Sequence, residues 1–194
     1  MSEDFLPTNY KLPTSDGGYM KLEAGDNKFR IMSSSIVGYE LWVEGKPKRY
    51  HEEAQISIED FEKSDKDKWT GEPRLPKHFW AFVVWNYKLE KLQILEIDKN
   101  TIQKQITAIV TRKTWGSPVG TDGYDLVITK EGEEKLTKYG VVAEPKEKLD
   151  KKIVDLYNKS NIKLDELFTG GNPFSKNEAK VDEDIEAVFD EIDK

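Results

Sequence analysis

The stretch His78-Phe-Trp-Ala-Phe-Val-Val-Trp-Asn-Tyr87 is the strongest strand signal of the chain and predicts its central β-strand. Alternate residues of a strand point to opposite faces, and here both faces are apolar. One face carries Phe79, Ala81, Val83, Trp85 and Tyr87, and the other carries His78, Trp80, Phe82, Val84 and Asn86. One face therefore forms core. The second is either covered by a helix or loop, or left as a platform of exposed rings.

Shorter elements surround this strand. Residues 88–91 predict a turn into a strand at 92–97, and residues 28–32 and 37–44 predict earlier strands. Gly45-Lys46-Pro47 predicts a hairpin turn into residues 48–51. The highly charged residues 52–77 predict a long excursion with a short helix near 58–61. Further predicted elements are a helix at 100–110, strands at 124–129 and 136–143, and helical segments from 148.

Three or so strands, a helix and two more strands follow the order of an OB-fold. We therefore predict a mainly β protein with α additions: a five-stranded Greek-key barrel with hairpin extensions and a C-terminal helix. Another small barrel or a sandwich contains the same elements and stays open as an alternative. The predicted divisions are an irregular arm at 1–18, the OB-fold domain at 19–145, a helical extension packing on the barrel at 146–174, and an acidic tail at 175–194.

Composition excludes several classes of site. The chain of 194 residues has no cysteine and 2 histidines, which excludes disulfides, thiolate metal sites and cysteine nucleophiles, and nearly excludes a multi-histidine metal site. The first residues show no basic region with an apolar run, and no stretch approaches the roughly 20 apolar residues of a membrane span. We expect a cytoplasmic protein without a membrane partner.

The negative charge is unevenly distributed. The formal net charge is -7, and counting by segment gives -2 for residues 1–20, +1 for 21–130, -1 for 131–174 and -5 for 175–194. The body is thus close to neutral and rich in aromatic residues. A nearly neutral body can carry a basic groove, because the local field depends on where the charges lie. The acidic total therefore does not argue against a nucleic-acid partner.

Rings and cations recur together at the predicted hairpin tips and strand ends. Lysine and arginine neutralise phosphates, while exposed rings stack on bases with little sequence preference. Trp42 lies on the polar face of its predicted strand, away from the apolar residues, which favours a role in binding. The predicted nucleic-acid contacts are Trp42, Arg49, Tyr50, Lys77, Trp80, Tyr87, Arg112 and Trp115, with Arg30 and Lys48 as further candidates.

The acidic tail carries a regular apolar stripe. Val181, Ile185, Val188, Phe189 and Ile192 share one helical face, with acidic residues between them. We predict a partner-binding segment that includes Asp182, Asp184, Ile185, Val188, Phe189 and Ile192. Competition with nucleic acid for a basic groove of the same chain, and simple packing of a C-terminal helix on the body, are the alternatives.

Signals for an enzyme are weak. The chain has no P-loop motif and no Ser/His/Asp set, and we predict neither catalysis nor a cofactor. Glu96-Ile97-Asp98-Lys99 has the carboxylate–lysine spacing of metal-dependent nucleases, so a nuclease using Glu96 and Asp98 is kept as an alternative. His51 and His78 are predicted to be structural or phosphate-adjacent.

Several strings resemble the single-stranded DNA-binding proteins of tailed bacteriophages. These are Tyr19-Met-Lys-Leu-Glu23, Asn27-Lys-Phe-Arg-Ile31, Gly38-Tyr-Glu40 with Trp42, Pro76 to Tyr87, Gln93 to Ile97, and Thr101-Ile-Gln103. The resemblance covers residues 19–174, and the acidic end matches in kind. It implies an OB-fold that binds single strands during phage DNA replication, recombination and repair, with an acidic tail that contacts replication partners. Some phage relatives carry a zinc site, which does not carry over to a chain without cysteine.

The combined prediction is a single-stranded DNA-binding protein without sequence preference, held to DNA by phosphate contacts and stacking. The alternative from another class is an acidic adaptor or inhibitor that docks on a basic protein. Single-stranded DNA and, through the tail, replication or recombination proteins are the predicted partners.

Overall fold

The computed structural model describes residues 18–174, which form a β-sheet with helices on both of its faces. The strands are β1 Gly25–Ile31, β2 Ile36–Val43, β3 Lys46–Tyr50, β4 Lys77–Asn86, β5 Lys91–Ile97, β6 Asp125–Glu131 and β7 Lys138–Ala143. The α-helices are α1 Ile58–Glu62, α2 Asn100–Val110, α3 Lys151–Lys159 and α4 Glu166–Thr169. Short 3-10 turns lie at Glu53–Gln55 and Glu134–Leu136.

The seven strands pair antiparallel in the order β3-β2-β4-β1-β6-β7, with β5 paired to β4. Strand β4 therefore has three partners. Its residues 80–86 pair with β5 along one edge. Along the other edge, residues 77–81 pair with β2 and residues 84–86 pair with β1. Strands β1 and β2 thus act as one interrupted strand.

The main core lies between one face of the sheet and α2. Phe82 and Val84 of β4 pack there with buried apolar residues of β1, β5 and β6. Ile102 and Ile106 bury one face of α2 against them, as the helical spacing of these residues predicts. The Gln103 amide fixes the helix by donating hydrogen bonds to the backbone oxygens of Ile97 at 2.8 Å and His78 at 3.2 Å.

The opposite face of β4 is covered by the C-terminal segment, residues 146–174. Val83 and Trp85 pack against Leu149 and α3, while Phe79 and Ala81 pack against Leu167 of α4 and its neighbours. Among the described residues, the hydrogen bonds of residues 150–174 are all made inside the segment. Apolar burial therefore holds α3 and α4 on the sheet.

The prediction of a mainly β protein with helical additions is confirmed, and the sheet formed by residues 18–174 is not closed. The gap lies at β7, whose free edge is met by a side chain of α2 instead of by a strand. The Gln105 amide donates to the Tyr139 oxygen and accepts from the Val141 amide, both at 2.9 Å. Within residues 18–174, no helix is long and apolar enough to span a membrane.

A close approach at Gly38 tests the packing of α4. A Cβ atom on Gly38 would lie 2.5 Å from the Tyr50 oxygen and 2.8 Å from a ring carbon of Phe168. We expect Gly38→Ala to lower the free energy of unfolding by about 1–3 kcal/mol, since overpacked sites cost that much. Gly140→Ala in β7 is the matched control, because a Cβ there meets nothing within 4 Å. Urea unfolding measures both, and equal stability of the two variants would contradict the packing.

Candidate nucleic-acid interface

The predicted binding residues fall into three places. Five of them, Trp42, Lys48, Arg49, Tyr50 and Lys77, lie on the β2–β3 hairpin and the start of β4, and are called the hairpin cluster below. Trp80, Arg112 and Trp115 lie on or next to a groove beside α2. Arg30 and Tyr87 meet at Asp125.

Arg30 is a structural residue. Its side chain is 1% exposed, and its Nε donates to Asp125 Oδ1 at 2.6 Å. Its other nitrogens donate to the backbone oxygens of Gly120 at 3.3 Å and Glu147 at 3.0 Å. A guanidinium buried in this way is closed to a phosphate from solvent, so the prediction that Arg30 contacts nucleic acid is not compatible with its position.

Tyr87 belongs to the same buried site. Its hydroxyl donates to Asp125 Oδ1 at 2.9 Å, and the ammonium of Lys28 lies 5.0 Å from its ring centre. Burial, together with the nearby Asp125 carboxylate, raises the pKa of Tyr87 to about 12. The ring packs against α3 through the same cluster as Trp85. Tyr87 therefore anchors the sheet and does not offer an open stacking surface.

Carboxylates accompany the cations of the hairpin cluster. Arg49 bridges Glu40 at 2.8 Å and Glu96 at 3.0 Å. Lys48 and the Tyr50 hydroxyl both donate to Asp60, and Lys77 donates to Asp98 at 3.0 Å. Trp42, which is 39% exposed, donates its indole N–H to Glu40. A phosphate here competes with carboxylates that already hold these donors.

The strength of that competition differs along the cluster. Lys48 and Lys77 are more than half exposed, and surface ion pairs are worth about 0–1 kcal/mol. Arg49 is 12% exposed and lies 5.5 Å from the Phe79 ring centre, so its pairing with Glu40 and Glu96 is part of the packing. Lys48 and Lys77 can turn toward a polyanion, whereas Arg49 is held in the protein.

Glu96 and Asp98, the carboxylates of the nuclease alternative, are also held by cations. Burial raises the pKa of Glu96, against the opposing effect of Arg49. Burial also favours a raised pKa at Asp98. The hydrogen bond from Lys77 and the charge of Lys99 outweigh burial there, and the pKa of Asp98 is lowered. Among residues 18–174, no group of three or more His, Asp or Glu side chains is arranged to hold a metal ion.

A groove of about 540 Å³, called the α2 groove below, separates α2 from the β1–β2 connection. Its walls are mainly apolar, with serine hydroxyls among them. It is lined by Ile31, Ser33, Ser35, Val37, Trp80, Phe82, Ile106, Val110 and Gly116 to Val119. Val37 is half exposed and pairs across strands with Trp80, so the indole lies between the core and the open groove.

Unpaired cations follow at the end of α2. Arg112 and Lys113 are exposed, and neither makes an ion pair with a described residue. They begin the loop whose residues 116–119 line the α2 groove. Trp115 in this loop packs on Tyr124 at 5.2 Å between ring centres, and the Lys146 ammonium lies beside Gly116. Trp115 therefore supports the loop, while Arg112 and Lys113 face solvent.

The segments that line the α2 groove contain no acidic residue. Although 37 of the 194 residues are Asp or Glu, none occurs in residues 27–39, 73–89 or 99–121. These are the segments that supply the β1–β2 wall, β4 and the α2 wall with its loop. Their cations are Lys28, Arg30, Arg74, Lys77, Lys88, Lys99, Lys104, Arg112 and Lys113. No residue that lines the groove is therefore acidic.

The sequence patterns did not predict Ser33, Ser35, Val37 and Val110 as groove residues. These residues could have been found from the three separate stretches of sequence that contain no Asp or Glu. Net charges counted over large segments do not show such stretches. The predicted tail contacts lie at 175–194, and most of the predicted arm lies at 1–17. Both fall outside the described residues.

The Arg30–Asp125 pair is tested against its exposed neighbour Lys28, which lies 3.2 Å from the same carboxylate and is 38% exposed. We expect Arg30→Met to lower the free energy of unfolding by about 3–5 kcal/mol, because it removes the buried partner of the Asp125 carboxylate and leaves it only the partly solvated Lys28 and the Tyr87 hydroxyl. Lys28→Met, which removes a partly solvated cation, is expected to cost about 1 kcal/mol or less. Urea unfolding at neutral pH measures both. Similar losses in the two variants would show that Arg30 is not the structural partner.

Comparison with protein-family models, with curated proteins and with solved structures found no match for this chain.

Proposed function

We propose that this protein binds single-stranded DNA without sequence preference, and that the α2 groove is its binding site. The observation that carries the proposal is an open apolar groove containing Trp80, built from three segments without acidic residues. Bases stack on exposed rings, and Arg112 and Lys113 are placed to meet phosphates. The cavity has the volume of an ordinary ligand site.

We further propose that the open sheet is a variant of the OB-fold. In support, the interrupted strand β1–β2 pairs with β4, β4 with β5, β1 with β6, and β6 with β7, while α2 follows β5. That is the meander, helix and hairpin order of a five-stranded partly open barrel. Here α2, through Gln105, lies at the edge where a closed barrel would pair its last strand.

The proposed role is to protect and organise single strands in phage DNA replication, recombination and repair, without catalysis. It extends the resemblance of residues 19–174 to phage proteins of that kind. The overall acidity is compatible with this role, because the charge that matters is the charge beside the groove. In the same proposal, the acidic tail binds replication or recombination proteins.

A protein-docking role is the second candidate, and one observation favours it. A cavity of about 920 Å³ lies beside Trp42 and Phe61, lined by residues of the 67–77 loop. Leu75 and Trp69 in this loop are 74% and 78% exposed. Exposed apolar side chains beside a cavity are typical of partner sites. If protein docking is the function, the protein does not bind single-stranded DNA at low salt.

Stacking on Trp80 is tested by tryptophan fluorescence during titration with oligo-dT at low and high salt. We expect quenching at low salt that weakens at high salt. Trp80→Phe is expected to remove most of the quenching, and Trp42→Phe in the hairpin cluster is the matched control that keeps it. Absence of quenching in the wild type at low salt would overturn the proposed function. Loss of the signal in Trp42→Phe, with Trp80→Phe unchanged, would move the site to the hairpin cluster.

The phosphate contacts are tested by reversing two charges beside the groove. Arg112→Glu/Lys113→Glu is expected to weaken binding at least about tenfold at low salt, and to reduce the slope of log K against log salt by about 1.4, or 0.7 per lost phosphate contact. The control is Lys151→Glu/Lys152→Glu in α3, which changes the net charge equally on the covered face. Fluorescence anisotropy at four salt concentrations measures both. Equal losses would mean that net charge, not the groove, governs binding.

A further inference from the structure

Helix α2 continues along β4 beyond the α2 groove, toward the N-terminus of the helix. At its C-terminal half, Ile106 and Val110 lie opposite Val37 and Trp80. Nearer the N-terminus, the Gln103 amide bonds to the His78 oxygen at 3.2 Å. The 11 residues of α2 give a length of about 16 Å. The helix therefore runs beside β4 from Trp80 to His78.

A second ring surface lies at that end. His78 is two residues before Trp80 and points to the same face of β4, about 6.6 Å away along the strand. It pairs across strands with Tyr39 of β2, and the two ring centres lie 5.3 Å apart at 68°. His78 is exposed and Tyr39 is half-buried. The pair forms an edge-to-face corner that leaves the imidazole open to solvent.

Cations also lie at this end, where they share the carboxylate of Asp98. Lys99, immediately before α2, is exposed and lies 3.4 Å from Asp98 in a weak surface contact. Lys77 is next to His78 in the chain and is also more than half exposed. Asp98 and Glu40 mark the end of the acid-free surface. A polyanion that leaves the groove along α2 thus also meets cations at the N-terminal end of the helix.

We propose that the Tyr39–His78 pair is a second base-stacking position, adjacent to Trp80, so that the site holds at least two consecutive nucleotides along β4. This rests on the proposed function, because it assigns the path of the same single strand. The DNA strand runs between α2 and β2, with its bases toward Trp80 and His78. Its phosphates lie toward Arg112 and Lys113 at one end and toward Lys99 at the other. None of these ring contacts depends on base identity.

The test compares His78→Ala, His78→Phe and His51→Ala in the full chain. His51 is the matched control, because it also stacks on an aromatic ring, that of Phe168 at 3.8 Å, but on the C-terminal segment. The probe is fluorescein-labelled (dT)8 at low salt, followed by anisotropy. We expect His78→Ala to bind about fivefold more weakly, equivalent to about 1 kcal/mol for one stacked base. His78→Phe and His51→Ala are expected to stay within about twofold of the wild type.

The outcomes are distinguishable. Wild-type affinity in His78→Ala would overturn the second position and leave the proposed function standing. Equal losses of affinity in His78→Ala and His78→Phe would also overturn it, because a ring at position 78 would then not be the contact. A loss of affinity in His51→Ala equal to that in His78→Ala would overturn it as well. No binding by the wild type would instead overturn the proposed function itself.

Discussion

Strand β4 is paired along both edges and buried on both faces, and the rest of the molecule is arranged around that constraint. Its edges hold β5 on one side and the interrupted strand β1–β2 on the other. One face packs in the main core with α2, and the other face packs against α3 and α4. Only where β4 leaves the core, at Trp80 and His78, does it present rings that are partly open. The C-terminal segment thus occupies what would otherwise be an apolar platform, and the α2 groove lies at the remaining opening.

Paired and unpaired cations lie at different parts of the sheet. Cations of the hairpin cluster are matched by carboxylates, so that end of the sheet is nearly self-neutralising. The segments around the α2 groove have no carboxylates, and Arg112 and Lys113 stay exposed beside it. A protein with a net charge of -7 can therefore present one cationic, ring-bearing groove to a polyanion. Surface ion pairs at Lys48 and Lys77 are weak enough to open, so these two lysines of the hairpin cluster can still contact a polyanion bound in the α2 groove.

Sequence patterns predicted the strands and α2 well, because burial imposes a period on each of them. They did not show which face of β4 is covered, since both faces are equally apolar in the sequence. Pairing across long separations was also hidden: Arg30 meets Asp125 95 positions away, and Arg49 meets Glu96 47 positions away. Both arginines were therefore predicted to be phosphate contacts, although one is buried and the other is held by two carboxylates. Trp80 was predicted as a binding residue because it has an aromatic ring. Ser33, Ser35 and Val37 carry no such signal in the sequence and are recognised as its neighbours only from the folded groove.

We propose that single-stranded DNA lies in the α2 groove and not on the covered face or the hairpin cluster. Ultraviolet crosslinking of oligo-dT to the full chain, followed by mass spectrometry of the crosslinked peptides, locates the bound DNA. We expect crosslinks in the peptides that contain Trp80, residues 33–39 and residues 110–119. Crosslinks confined to α3 and α4, or to the loop around Trp69, would contradict it.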